Sequence, residues 1–161
     1  MINISIHESD VFKAIGDALT PVIDGVVIKG LSNKVAPPNG DYTVITPILS
    51  ERQGTNETSY ITDFRSESVL YTYTVQVDCY GRNSGNTANV INMLFRGDYF
   101  NDKGLTPLRA TNPRQLMFEG DEHQMIERWT QDIDVSYNPV IALPQESAIS
   151  LNMDLLYQAD S

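Results

Sequence analysis

A run of alternating residues between positions 69 and 81 constrains the fold of this chain more than any other stretch. Every second side chain of the run is apolar or aromatic, and the side chains between them are mostly polar. Alternation of this length, rich in β-branched and aromatic residues, predicts a strand with one buried side. Positions 125–137 repeat the pattern, so we expect two long strands in one sheet. The side chains on the expected buried side of the first run are Val69, Tyr71, Tyr73, Val75, Val77 and Cys79.

Length and composition indicate one acidic domain. The chain has 161 residues, of which 41% are hydrophobic, which is enough for a single core. It contains no run of the roughly 20 apolar residues that span a bilayer, and its first residues do not resemble a signal peptide. We therefore expect a protein that stays in the cytoplasm of the cell that makes it and has no membrane partner. Cys79, the single cysteine, is expected to be a buried core residue rather than a reactive thiol.

The formal charge of −10 limits the classes of partner. A protein that binds nucleic acid through its phosphates needs a basic surface, and this chain has an excess of carboxylates. An acidic surface is nevertheless compatible with DNA that merely passes the protein, because it repels phosphate and prevents adhesion.

Helix and strand signals along the chain predict an α+β fold. An apolar stripe and a Ser5–Glu8 capping box predict a helix from Ile6 to Leu19. A second amphipathic stripe predicts a helix from Asn86 to Asp98. We expect a single domain with a mostly antiparallel sheet, both helices on one face of the sheet, and an extended β-hairpin arm. The predicted strands are Val26–Lys29, Tyr42–Arg52, Val69–Tyr80, a weaker region Leu105–Phe118 that Pro107 and Pro113 interrupt, and Met125–Tyr137.

The hairpin arm and the C-terminal segment have no obvious partner within the domain. Gly54-Thr55-Asn56 is expected to form the tip of the hairpin, with Glu57–Phe64 as its returning strand. We divide the chain into a domain at residues 1–143 and an extended tail at residues 144–161. Apolar residues alternate in the tail, which suggests a strand that pairs in its own domain or adds to the sheet edge of a neighbour. These tail residues are Ile149, Leu151, Met153 and Leu155.

No catalytic, cofactor or metal constellation is recognisable, so an enzyme is not expected. Asp132 and Asp134 lie on one side of a strand, but this pattern is typical of a solvated strand face. His123 belongs to a polar turn and lacks the further ligands that a metal site needs. The loop Gly81–Gly85 precedes a helix, but it lacks the ending of a phosphate-binding loop. We expect it to be a plain connection between a strand and a helix.

Several short blocks together resemble the neck or tail terminator proteins of tailed bacteriophages, of the lambda tail terminator type. The blocks are Thr43–Pro47, Gln76–Gly81, Asn112–Phe118, Glu127–Thr130 and Tyr137–Val140, and their order and spacing cover most of residues 26–141. The resemblance implies a structural virion protein made in the bacterial host. It implies a homohexameric ring that caps the tail tube, stops its polymerisation and joins the tail to the neck or head-completion proteins. DNA would pass through the lumen of the ring without specific binding.

The arm and the tail are expected to provide subunit contacts, since both extend without an intradomain partner. Exposed arginines are added as candidates for ion pairs between subunits of an acidic protein. A small acidic monomeric binding module or phage assembly chaperone remains the alternative function, and an enzyme is the third. The candidate interface residues are Glu51, Arg52, Gln53, Asn56, Tyr60, Arg114, Arg128, Ile149, Leu151, Met153 and Leu155.

Overall fold

The structure is a computed structural model that describes residues 2–30, 38–119 and 125–144. The alternating residues Tyr71–Tyr80 form a strand at the centre of the fold. The order of elements is α1 (Glu8–Leu19), β1 (Val26–Lys29), β2 (Tyr42–Arg52), β3 (Glu57–Ile61), β4 (Phe64–Ser68), β5 (Tyr71–Tyr80), α2 (Ser84–Arg96), a short 3-10 helix (Asn101–Lys103), β6 (Thr106–Ala110), β7 (Arg114–Glu119), β8 (Met125–Tyr137) and β9 (Val140–Pro144). The predicted α+β class is confirmed.

A six-stranded sheet forms the body of the domain. Its strands follow the order β1-β2-β5-β8-β6, and β7 pairs with β8 on the same side as β6. Only the pairing of β1 with β2 is parallel. The longest strands, β2, β5 and β8, are therefore adjacent, while β1 and the β6–β7 pair lie at opposite edges.

Both helices pack on one face of this sheet, as the alternation predicts. The odd-numbered residues of β5 meet Ile133 and Val135 of β8 across the ladder, and these side chains are buried with the apolar stripes of α1 and α2 in one core. The amide of Gln131 links sheet and helix, because its Nε2 donates to the Ala88 carbonyl over 2.8 Å. The opposite face of the sheet carries the even-numbered, mainly polar residues of β5 and β8.

A second, three-stranded sheet extends beyond the body in the order β3-β4-β9. β2 and β5 are paired as far as Arg52 and Tyr71, and the chain then continues on each side into β3 and β4. The arm is thus the distal part of one long, interrupted hairpin, and β9 follows β8 into it. The N-terminal segment supports β9, since Ser5 N donates to the Val140 carbonyl over 2.9 Å.

The position predicted for the hairpin tip was wrong. Gly54-Thr55-Asn56 interrupts the hairpin between β2 and β3, and the tip lies at Thr62-Asp63, because Ile61 pairs with Phe64. A Gly-containing polar triplet has the composition of a turn whether the chain reverses there or only bends. Pairing of β3 with β4, which is not visible in local sequence, decides between the two.

Two helix boundaries also differ from the prediction. The first helix is capped at His7, whose N–H donates to the Asp10 carboxylate over 3.1 Å, rather than at Ser5. Ser5 is engaged elsewhere, because its Oγ accepts from Val140 N over 2.8 Å. The second helix begins at Ser84 and ends at Arg96, two residues earlier at each end than expected.

Candidate subunit-interface surfaces

The open face of the six-stranded sheet carries a polar network that is satisfied within the chain. Asp78 is only 5% exposed, and it accepts from Arg128 Nε at 3.2 Å and Nη2 at 3.0 Å. Gln76 Nε2 also donates to both carboxylate oxygens of Asp78. The Arg128 guanidinium lies 5.6 Å from the centre of the Tyr80 ring. Burial and the neighbouring Asp78 raise the pKa of Tyr80, in that order of importance.

The two aspartates considered for a cation site belong to this same surface. Asp134 accepts from Thr74 Oγ1 at 2.7 Å and pairs with Arg109 at 3.3 Å. Asp132 is exposed. No group of three potential metal-ligating side chains exists in the described part of the chain. His123 lies outside the described residues.

Cys79 lies in the core, as its position on the strand predicts. Its side chain is 1% exposed, and the Thr43 hydroxyl donates to its sulfur over 3.7 Å. Burial raises the pKa of the Cys79 thiol to about 11. The thiolate form that acts as a nucleophile or a metal ligand is therefore scarce at neutral pH.

A carboxylate of the chain itself occupies the strand-to-helix loop Gly81–Gly85. Asn83 N donates to Asp41 Oδ2 over 3.2 Å at the start of α2. Gly81 has a φ of +113°, and a Cβ added there would clash with Asp41 Oδ1. Since the favourable position for an anion at the helix N-terminus is already taken by Asp41, the loop serves as a structural connection.

The sequence-predicted interface residues that the structure describes fall into four separate places. Glu51 and Arg52 end β2 and Gln53 follows it; there Arg52 contacts the Asn56 side chain and Gln53 N donates to the Leu70 carbonyl over 2.8 Å. Tyr60 lies in β3 of the arm and is 68% exposed. Arg114 begins β7 at the opposite edge of the six-stranded sheet and is exposed. Arg128 is paired with Asp78 in its own chain, as described above. The tail residues Ile149, Leu151, Met153 and Leu155 lie outside the described residues.

Exposed apolar side chains at both edges of the six-stranded sheet were not identified from the sequence. One edge carries Val26, Ile48 and Leu49, which are 52–54% exposed, and the other carries Leu108, Leu116 and Met117, which are 41–57% exposed. Ile48 and Leu108 both lie at register shifts next to a proline. The signal available in the sequence was an apolar residue next to a strand proline, since proline in a sheet favours edges and bulges. We name these two surfaces, each defined by its three residues, the β2 edge and the β7 edge.

Comparison with known proteins identifies the family to which this chain belongs. None of the helices in the described residues is long and apolar enough to span a membrane. A search of curated proteins finds no match. The family model described as phage neck terminator protein matches residues 9–157, which is most of the chain and includes both edges of the sheet. The chain therefore belongs to the phage neck terminator protein family, and its role is that of a structural protein of the phage tail and neck.

Proposed function

We propose that this protein forms a homohexameric ring that caps the tail tube, ends its polymerisation and joins the tail to the neck or head-completion proteins. Membership of the neck terminator family supports a structural role at this position in the virion. The ring, its number of subunits and its partners are the proposed parts. The protein is made in the host cytoplasm and acts in the assembled particle.

The two apolar edges of the six-stranded sheet carry the proposal. Monomeric proteins seldom leave contiguous apolar surface exposed without a binding role. Here six of the exposed apolar residues lie at the β2 edge and the β7 edge, which are separated by β5 and β8. Two different surfaces on opposite sides of one subunit suit head-to-tail association, and such contacts form a ring when the rotation closes.

A closed ring explains how polymerisation ends. Its subunits satisfy one another laterally, so new copies have no lateral edge on which to add. One end of the ring fits the tail tube, and the other end has a different surface that fits the neck proteins. The net charge of −10 favours passage of DNA through the lumen, because an acidic lining does not retain phosphates.

The arm and the tail are proposed as further subunit contacts. β3 is exposed along its whole length, and among the described residues it pairs only with β4. Tyr60 on this strand offers an exposed aromatic ring of the kind enriched at interfaces. A variant lacking residues 146–161 should lose ring mass in native mass spectrometry. An unchanged ring would remove the tail from the interface.

The decisive experiment measures assembly in the presence of tail tubes. The purified protein, alone and mixed with tail tube protein of the same phage, is imaged by negative-stain microscopy and weighed by native mass spectrometry. Rings at tube ends and tubes of uniform length are expected. A protein that stays monomeric with tubes present would refute the proposal and favour the binding-module or chaperone alternative.

A matched pair of variants tests the role of the sheet edge. Leu116 at the β7 edge and Val90 on α2 are each 41% exposed. Leu116→Asp should abolish rings, because it introduces a charge into the apolar contact. Val90→Asp should leave them intact. Equal effects of the two substitutions would show that general destabilisation, and not the edge, controls assembly.

A further inference from the structure

The two edges of the six-stranded sheet have directions that allow them to pair with each other between copies. β2 is antiparallel to β5, β5 to β8, and β8 to β7, so β2 and β7 run in opposite directions. Leu49 lies at the level of Asp134 in β8 and Leu116 at the level of Arg128, an offset of about 20 Å along the strands. When copies are related by rotation about an axis inclined by roughly 45° to the strands, β7 of one copy meets β2 of the next as an antiparallel partner with this offset. We infer that β2 residues 48–52 of one copy pair with β7 residues 113–117 of the next, with Leu49 opposite Leu116 and Glu51 opposite Arg114; this inference rests on the proposed ring.

The backbone at both edges is available for this pairing. β1 ends its pairing with β2 at Ile45, so the described residues beyond it, including Leu49 to Arg52, pair only with β5. On the other side of the sheet, β7 pairs only with β8 among the described residues. The edge residues are also open to solvent, because Leu49, Glu51, Arg114 and Leu116 are all exposed. Unprotected edges of this kind are templates for strand addition.

Side-chain order selects the register. Leu49 and Glu51 point to the open face of the sheet, because their partners Thr74 and Thr72 in β5 do. Arg114 and Leu116 point to the same face on β7, opposite Thr130 and Arg128 of β8. Leu49 comes before Glu51 in β2, whereas Leu116 comes after Arg114 in β7. The two leucines can therefore face each other, and Glu51 can face Arg114, only when the strands run in opposite directions. Antiparallel pairing then gives one apolar pair and one ion pair on the same face, which is the kind of cross-strand contact that stabilises sheets.

The backbone N–H and C=O groups that point to the open edges also agree with this register. Gln53 N donates to the Leu70 carbonyl, so the backbone N–H and C=O of Gln53 face β5. Since these groups alternate in direction along a strand, those of Glu51 also face β5 and those of Ser50 face the open edge. Gly81 N donates to the Glu127 carbonyl, so odd-numbered residues of β8 face β5 and even-numbered ones face β7. The even-numbered residues of β7 pair with them, which leaves Gln115 facing the open edge.

The proposed register therefore places Ser50 opposite Gln115 as a hydrogen-bonded pair. Leu49–Leu116 and Glu51–Arg114 become non-hydrogen-bonded pairs, in which side chains approach most closely. A register shifted by one residue would direct the leucines to opposite faces. A shift by two in either direction would separate Glu51 from Arg114 and so remove the ionic contact.

Charge reversal tests the ionic contact. Glu51→Arg and Arg114→Glu, each alone, should raise the protein concentration for half-maximal ring formation by about tenfold or more, because like charges oppose each other across an interface. The double variant should return to within about twofold of the unaltered protein. Asp102→Arg in the 3-10 helix and Arg82→Glu before α2 make the same changes of charge at other exposed positions. Single reversals that match these controls, or a double variant without recovery, would overturn the inference.

Disulfide formation tests the register. A Leu49→Cys, Leu116→Cys variant should give a ladder of covalent multimers on a non-reducing gel after oxidation of rings on tail tubes. Two intervening strands and an offset of six residues along β8 separate these positions by roughly 25 Å within one chain, so they cannot be linked internally. Leu49→Cys with Met117→Cys is the control, because Met117 points to the other face. Cys79 is buried and does not interfere.

The outcomes separate the inference from the proposed function. Rings that form normally but give no ladder, or give equal ladders with Met117→Cys, overturn the strand register and leave the ring proposal intact. Absence of rings for the unaltered protein on tail tubes overturns both. A ladder specific to Leu116→Cys supports both.

Discussion

Replacing Arg128 by methionine tests whether the ion pair on the open face of the sheet stabilises the fold. Arg128 and Asp78 have side chains that are 25% and 7% exposed, with Arg128 Nη2 and Asp78 Oδ1 3.0 Å apart. Methionine keeps much of the apolar stem beside the Tyr80 ring and removes both N–H donors. Gln76 would remain the principal partner of the buried Asp78 carboxylate.

The expected loss of stability follows from this geometry. Removing one partner of a fully buried ion pair costs roughly 3–5 kcal/mol. The value here should be lower, since Gln76 still donates and water reaches the exposed quarter of the Arg128 site. We expect a decrease of about 2–3 kcal/mol in the free energy of unfolding, which with an m-value of about 2 kcal/mol/M lowers the urea midpoint by about 1–1.5 M.

Equilibrium urea unfolding at pH 7, followed by Trp129 fluorescence and circular dichroism, measures this change. Lys13→Met is the control, because the Lys13–Asp17 pair is 3.7 Å apart with both side chains more than 60% exposed. It should cost less than about 0.5 kcal/mol. Adding Asp78→Asn completes a double-mutant cycle, in which a coupling above about 1 kcal/mol is expected. If Arg128→Met costs no more than Lys13→Met, the reasoning from burial is refuted.

Three further changes should alter stability in ways that unfolding experiments resolve. Gly81→Ala should cost more than about 2 kcal/mol, because φ is +113° and the new Cβ would clash with Asp41, whereas Gly54→Ala, with open space around it, should change stability by less than about 0.5 kcal/mol. Ile133→Ala should cost about 2–5 kcal/mol, because the side chain is fully buried in the core, and a smaller loss would contradict its assigned packing. Burial raises the pKa of Tyr73 from 10.0 to about 12, so the folded protein keeps this proton at a pH where the unfolded chain loses it, and stability should fall as the pH rises from 10 to 12. Tyr73→Phe should remove this part of the pH dependence, and an unchanged slope would exclude Tyr73 as its source.

The positions and faces of the long strands were predictable from local sequence, although β5 begins at Tyr71 rather than at Val69, and β4 and β9 were not predicted. The bounds of β1, β2 and β8 agree with the prediction, and the apolar side of β5 is the side that packs against the helices. Periodicity of two residues reports directly which side of a strand is buried, since successive side chains point to opposite faces. Cys79 could be assigned to the core on this basis alone.

The candidate interface was only partly predictable. Glu51 was selected as the start of the hairpin arm and Arg114 as a candidate for an ion pair between subunits, without any indication that they lie at opposite edges of one sheet. Leu49 and Leu116 were missed, because an apolar residue in a strand pattern is normally expected to be buried. Their exposure depends on which strand has no neighbour, and this is a property of the whole sheet.

The sequence by itself determined the class of the fold, the long strands, the two amphipathic helices and the absence of a recognisable catalytic motif, because each of these depends on residues close together in the chain. Tertiary structure alone decided that β3 pairs with β4, that Asp41 fills the loop before α2, and that Asp78 meets Arg128 from 50 residues away. Pairing between distant segments is selected by the packing of the whole core. The edges that remain open after this packing are the surfaces available to another copy.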